Sequence, residues 1–237
     1  MFAGPNGSGK STLKKVLPVE LLGVYLNPDD IEKDIRSRGF LSLASYGIET
    51  SGDEILTFFD NSSLLHNIGL TQMIRHLDFK SGKLYFHDME INAYLAAVVA
   101  DFLRQKHLAQ RVSFTFETVM SSSDKVAFLK RAQSEGCRTY LCYIATDDPE
   151  INISRVRNRV KQGGHDVPED KIITRYWRSL DLLMDAIRNS HRAYIFDNSS
   201  YNQDHTWLAE ITDGDTLEMK QDWMPVWFKR AVWDKIT

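Results

Sequence analysis

The stretch Gly4-Pro5-Asn6-Gly7-Ser8-Gly9-Lys10-Ser11 constrains this chain more than any other. It satisfies GxxxxGK[ST] between a short apolar run, Met1 to Ala3, and a helical pattern that opens at Lys10. A phosphate needs several donors converging from one side. Glycine at 7 and 9 lets consecutive backbone N–H groups curl round the anion, and the helix N-terminus beyond adds partial positive charge. The Lys10 ammonium would reach the β- and γ-phosphates, and the Ser11 hydroxyl would hold Mg²⁺. A nucleoside triphosphate site is therefore expected over Gly4, Pro5, Asn6, Gly7, Ser8, Gly9, Lys10, Ser11 and Thr12. Only three residues precede Gly4, fewer than the roughly five or six of an average strand, which points to a native chain that starts upstream.

Around this loop, apolar strand patterns alternate with helical ones. Strands are expected at Met1–Ala3, Gly23–Asn27, Val112–Glu117, Thr139–Ala145 and Ala193–Asp197. Helices are expected from Lys10 to about Leu17, Met89 to Gln110, Lys125 to Ser134, Asp148 to about Val160, and Pro168 to about Asn189. The alternation predicts an α/β fold on a central, mainly parallel five-stranded sheet. Residues 37–88 are rich in Gly, Ser, Asn and Thr and show helical periodicity only in patches, so they read as an insertion with a few short helices. The tail from Glu218 carries Trp223, Trp227 and Trp233, an aromatic face expected to dock on the domain while Lys220, Asp222, Lys229 and Arg230 face water. The organisation that follows is one domain over residues 1–200, interrupted at about 37–88, and a C-terminal extension over 201–237.

Composition narrows the classes. Lys and Arg number 29 against 32 Asp and Glu, a net charge of −3, so the basic excess of a duplex-binding protein is missing and nucleic acid is disfavoured. The longest apolar stretch, Ala93 to Ala100, falls well short of the roughly 20 residues that cross a bilayer, and no membrane span is expected. Cys137 and Cys142 are the only cysteines and form neither a disulfide framework nor a metal knuckle. With no secretory signal visible, a reduced, cytoplasmic setting is expected.

What the nucleotide is used for must come from elsewhere. There is no LSGGQ-like segment with an apolar strand ending in Asp-Glu, and no NKxD, which leaves small-molecule kinases as the best class. Asp29 and Asp30 follow a strand just past the first crossover, at the carboxyl edge of a parallel sheet. Asp29 could take the proton from an attacking hydroxyl or hold Mg²⁺ through water, and Asp30 could be the N-cap of a helix starting near Ile31. Glu117 ends another strand, where it could bind a substrate hydroxyl, orient metal-bound water or be an ordinary strand-end carboxylate. Arg155, Arg157 and Arg159 precede Gly163-Gly164-His165, and Arg175 and Arg178 follow, a pattern that suits a lid closing over phosphates. Arg159 and Arg175 are the preferred pair, with His165 as a hydrogen bonder of the lid.

The segments FAGPNGSGKST, NPDDI, SFTFETVMSS, DPEINISRVRNRVKQGGHDVP with RYWRSL, and IFDNS together resemble the zeta toxin family of P-loop kinases, more closely the branch often labelled predicted ABC-type ATPase. The resemblance covers residues 1–36 and roughly 93–200. It implies a three-layer fold of the P-loop kinase kind and transfer of the ATP γ-phosphate to a hydroxyl of a nucleotide sugar, UDP-N-acetylglucosamine in characterised members, with Mg²⁺. By position it implies Lys10 and Ser11 at the nucleotide, Asp29 as catalytic base, Glu117 and Thr118 at the substrate, and, approximately, Arg159 and Arg175 neutralising phosphate. A separate antitoxin is an implied partner. Two competing classes are a P-loop ATPase or switch acting through a protein partner, and a non-catalytic nucleotide-binding module.

Overall fold

The structure, a computed structural model, describes residues 1–15, 17–200 and 205–236. Val16, at the expected end of the first helix, and residues 201–204 and 237, in the expected extension, lie outside the described residues. Strands form at Phe2–Ala3 (β1), Val24–Leu26 (β2), Phe40–Ser42 (β3), Leu77–Lys80 (β4), Lys83–Phe86 (β5), Phe114–Thr118 (β6), Tyr140–Ala145 (β7), Arg192–Asp197 (β8), Thr206–Thr212 (β9) and Thr216–Met219 (β10). The principal helices are Lys10–Lys14 (α1), Pro28–Arg38 (α2), Gly52–Asp60 (α3), Ser63–Asn67 (α4), Ala93–Ala109 (α5), Asp124–Ser134 (α6), Pro149–Lys161 (α7), Glu169–Asp181 (α8) and Leu183–Arg188 (α9). The fold is mixed α/β with a large, mainly parallel sheet. Two compact units make up the chain, Met1–Pro18 with Glu117–Thr237, and Val19–Phe116.

In the first unit, β1 pairs in parallel with β7 on one side and with Glu117 and Thr118 of β6 on the other. β7 pairs in parallel with β8 along its whole length. Strands covered on both faces read as continuous apolar runs, and Leu141, Tyr143, Ile144 and Ala145 of β7 are wholly buried. Each large apolar side chain so placed contributes about 2 kcal/mol. Beyond β8 the sheet continues antiparallel through β9 and β10, two strands that the sequence reading did not include. Their signal was present: Asp213-Gly214 between two alternating runs is a hairpin pattern, and both residues have positive φ. The long helix expected over 168–189 is broken at Leu182 into α8 and α9. In the tail, Trp227 is buried as expected, whereas Trp223 is half exposed. Lys220 and Lys229 lie against acids, Glu218 and Asp234 respectively.

In the second unit, Phe114–Phe116 of β6 pair in parallel with β2. The insertion is more ordered than its composition suggested: besides α3 and α4, it builds an antiparallel sheet in the order β3-β5-β4. Leu41, Leu84, Phe86 and Leu77 alternate onto its buried face. Helix α5 starts at Ala93, later than the expected Met89, because the Asn92 side chain accepts from the Tyr94 and Leu95 N–H groups and caps it there. Among the described residues no helix is long and apolar enough to cross a membrane.

His107 on α5 is fully buried, stacks on Phe114 at 5.4 Å between centroids, and has no hydrogen-bond partner on either ring nitrogen among the described residues. Burial lowers its pKa below the ordinary 6.5, so the folded chain holds the ring neutral where the unfolded chain takes up a proton. This contribution is complete above the unfolded pKa and is lost as pH falls below it. His107→Phe should therefore flatten the pH dependence of the urea midpoint between about pH 5 and 7. A variant with the same slope as wild type would take the effect away from His107.

Candidate functional site

β1 delivers the chain into the phosphate loop at Gly4, and the loop runs to Gly9 before α1 begins at Lys10. Five of its carbonyl groups are engaged. Lys10 Nζ donates to Gly4 O at 2.8 Å and Pro5 O at 3.0 Å, the Asn152 amide donates to Asn6 O, and Asn198 Nδ2 donates to Ser8 O at 2.8 Å. Gly9 O accepts from Thr12 N and Leu13 N and has His205 Nε2 at 2.9 Å. In a trans peptide the C=O and N–H point in opposite directions, and no peptide here is cis. Pinning the carbonyls of Asn6, Ser8 and Gly9 therefore aims the N–H groups of Gly7, Gly9 and Lys10 to the other side, as an anion cradle requires. The Ser8 hydroxyl is buried in this loop without a hydrogen-bond partner among the described residues.

The register of β1 on β6, Phe2↔Glu117 and Ala3↔Thr118, brings the end of β6 beside the loop. Ser11 Oγ donates to Glu117 Oε1 at 3.3 Å. A hydroxyl and a carboxylate are the hard oxygen donors that Mg²⁺ takes, usually one or two carboxylates completed by water and substrate phosphates. Among the described residues no group of three or more His, Cys, Asp or Glu is placed to hold a metal alone. Ser11 and Glu117 thus fit a cation that arrives with a nucleotide. The Thr118 hydroxyl accepts from Met120 N at 3.0 Å and closes a tight turn after the strand.

The expected lid is a helical hairpin with an apolar core of its own, Ile153, Val156, Val167 and Ile172. Asp148 caps α7 by accepting from Glu150 N, and Pro149 occupies the first turn, where its missing N–H costs nothing. Arg157 bridges to Glu169 at 2.6 Å and joins α7 to α8. Arg159 donates to His165 O at 2.8 Å, so it braces the Gly163-Gly164 loop, while its Nε is buried without a partner among the described residues. Arg155 donates to Ser200 O at 3.1 Å. Arg175, half-buried on α8, makes no hydrogen bond or ion pair with other described residues.

Asn152 is the residue of α7 that sequence reasoning missed. It is fully buried, donates to Asn6 O and accepts from the Thr146 hydroxyl, while Tyr176 on α8 donates to Thr146 O at 2.6 Å. The hairpin is thereby tied to the phosphate loop. Asn198 and His205, on the other flank of the loop, were likewise not singled out. An asparagine on the apolar side of a charged helix, one residue before Ile153, was the available signal for Asn152.

Asp29 belongs to the second unit. Helix α2 starts at Pro28, and its cap is Asn27, whose Oδ1 accepts from Asp29 N at 2.9 Å. The expectation that Asp30 caps a helix from Ile31 is thus corrected: Asp29 and Asp30 are both first-turn residues, exposed, where negative charge suits the helix dipole. The reason is that Pro28 is pre-set for a helical first position. Asp29 lines a cavity of about 360 Å³ with Glu32, Lys33, Arg36 and Ser37. Nearby, burial, reinforced by the charges of Asp34 and Asp30, pushes the Tyr46 phenol up to about 12 and keeps it a proton donor.

Residues 93–207 match the protein family described as Zeta toxin. An uncharacterized protein of Haemophilus influenzae is 35% identical over 69 residues, which are 29% of this chain and 49% of that protein. The structure of AvrRxo1-ORF1 in complex with AvrRxo1-ORF2 and ATP superposes with a TM-score of 0.54 at 15% identity, over 100% of this chain and 62% of that one. The same complex with sulphate ions gives 0.54 at 15% identity over 93% and 60%. This chain thus spans about half the length of its curated relative and about three fifths of those structures, whose likeness is one of fold. Over residues 93–207, just under half of its length, this chain is similar to the Zeta toxin family.

Proposed function

We propose that the chain is an ATP-dependent small-molecule kinase that transfers the γ-phosphate to a hydroxyl of a nucleotide sugar resembling UDP-N-acetylglucosamine. The observation that carries this reading is the phosphate loop with the Asn6 and Ser8 carbonyls pinned outward and Ser11 hydrogen-bonded to Glu117. The match of residues 93–207 to the Zeta toxin family supports kinase chemistry, and the ATP held by a protein of the same fold supports the nucleotide. The nucleotide-sugar acceptor rests on the family resemblance.

In this mechanism the N–H groups of Gly7, Gly9 and Lys10 receive the phosphates. The Lys10 ammonium leaves the Gly4 and Pro5 carbonyls to meet the β- and γ-phosphate oxygens. Ser11 and Glu117 would hold Mg²⁺, which when bound would neutralise charge on those oxygens. Glu117, at hydrogen-bond distance from Ser11, is assigned to the cation, and Thr118 remains the strand-end group for the acceptor. Asp29 takes the acceptor proton, and Arg159 and Arg175 neutralise charge on the phosphoryl group as it transfers. A separate protein partner of antitoxin type, and a cytoplasmic site of action, belong to the same reading. The AvrRxo1-ORF1 structures, determined with ORF2, give the partner its support.

The decisive experiment incubates the protein with labelled ATP, Mg²⁺ and a panel of UDP-sugars, NAD and other nucleotides, and identifies products by mass spectrometry. A phosphorylated UDP-sugar is the expected product. ADP release with no phosphorylated acceptor would instead favour an ATPase. In the same assay, Glu117→Gln should raise the Mg²⁺ concentration needed for half-maximal transfer about tenfold. An unchanged Mg²⁺ dependence with a raised acceptor KM would return Glu117 to the acceptor.

A further inference from the structure

Trp227 lies in a tail that the zeta toxin match, ending at residue 207, does not reach. We infer that this tail is part of the nucleotide site and that Trp227 is a positioning residue for the phosphate loop, acting through Asp197 and Asn198. The inference rests on the nucleotide reading of that loop. Trp227 is 3% exposed, packed against Tyr143 and Phe228, and its Nε1 donates to Asp197 Oδ1 at 2.8 Å. Asp197, the buried last residue of β8, also accepts from Ser199 Oγ at 2.8 Å and Ser199 N at 2.9 Å. Ser199 Oγ in turn accepts from Asp147 N at 2.9 Å, and Asn198 N donates to Ala145 O at 2.9 Å.

The consequence is a turn with no slack. Asn198 stands between two residues locked to one carboxylate, its own N–H is bonded to β7, and its side-chain amide is thereby aimed at Ser8 O, 2.8 Å away. The fit is close enough that a Cβ on Gly9 would meet Asn198 Nδ2 at 2.3 Å. Because the Ser8 carbonyl and the Gly9 N–H share one peptide plane, the orientation of Asn198 sets the aim of a phosphate-binding N–H. A buried carboxylate deprived of the indole donor must seek another partner. Ser199 and Asn198 are the nearest groups that can yield.

Trp227→Phe keeps the ring and removes the N–H. Two measurements on the full chain test it: amide hydrogen exchange of the peptides covering residues 4–10, and ATP affinity by titration. Exchange in the loop should quicken while that of the α5 peptides stays as in wild type, and the Kd for ATP should rise about tenfold with kcat for transfer within about twofold. Asn198→Ala should do the same, and the double variant no more than either alone, since both cut one relay. Loop exchange and ATP affinity unchanged in Trp227→Phe would overturn the inference, whatever happened to overall stability. If wild type bound no ATP, the nucleotide reading would fall, and unchanged or quickened loop exchange in the variant would still decide the relay.

Discussion

Asp29→Asn is expected to leave the ATP affinity within about twofold and to lower phosphoryl transfer about 10³-fold. The substitution removes the one property a base needs, a carboxylate that accepts a proton, and keeps shape and hydrogen-bonding reach. Local structure should survive. Helix α2 is capped by Asn27 through the backbone N–H of Asp29, which the substitution does not touch, and Pro28 still opens the first turn. Asp29 is exposed at the wall of a cavity that also presents Lys33 and Arg36, so no buried partner is orphaned. The measurements are ATP titration and quantitation of the phosphorylated UDP-sugar. Transfer at the wild-type rate would remove Asp29 from the base role, and loss of ATP binding would show that the carboxylate serves the nucleotide.

Gly4→Ala should lower folding stability by about 3 kcal/mol and weaken ATP binding about 100-fold. A Cβ at this position would lie 2.0 Å from the carbonyl oxygen of Ile144, a backbone atom of a wholly buried residue of β7 that cannot swing aside as a side chain can. The φ of +148° adds strain for any residue with a Cβ. Relief demands that the loop lift away from β7, which pulls Gly4 and Pro5 from the Lys10 ammonium. Gly136→Ala is the matching control. It too has positive φ, but nothing lies within 4 Å of the added carbon, so only about 1 kcal/mol should be lost and ATP binding kept. Urea unfolding and ATP titration of the two variants separate the contact from the backbone strain. Equal stability losses would mean that Ile144 gives way.

The fold was legible where local pattern and tertiary role coincide. Apolar runs such as Leu141–Ala145 are strands because a parallel sheet buries both faces, and the run itself carries that information. The sheet of the insertion was not legible: β3, β4 and β5 are three or four residues each, set among Gly, Ser and Asn, and only their mutual pairing stabilises them. The start of α2 was displaced by a similar conflict. Asn27, Asp29 and Asp30 are all good caps by residue type, and Pro28 decides among them.

By itself the sequence determined the phosphate loop, the carboxylates Asp29 and Glu117 and the arginine-bearing helices, because each is a short-range pattern whose chemistry follows from adjacent residues. Tertiary structure alone decided how the loop is held. Asn152 reaches Asn6 across 146 residues, Asn198 reaches Ser8 across 190, and Trp227 enters only through Asp197. An asparagine or a tryptophan has no fixed role of its own. It acquires one when the fold brings a particular carbonyl or carboxylate within hydrogen-bond distance and removes the water that would otherwise satisfy it.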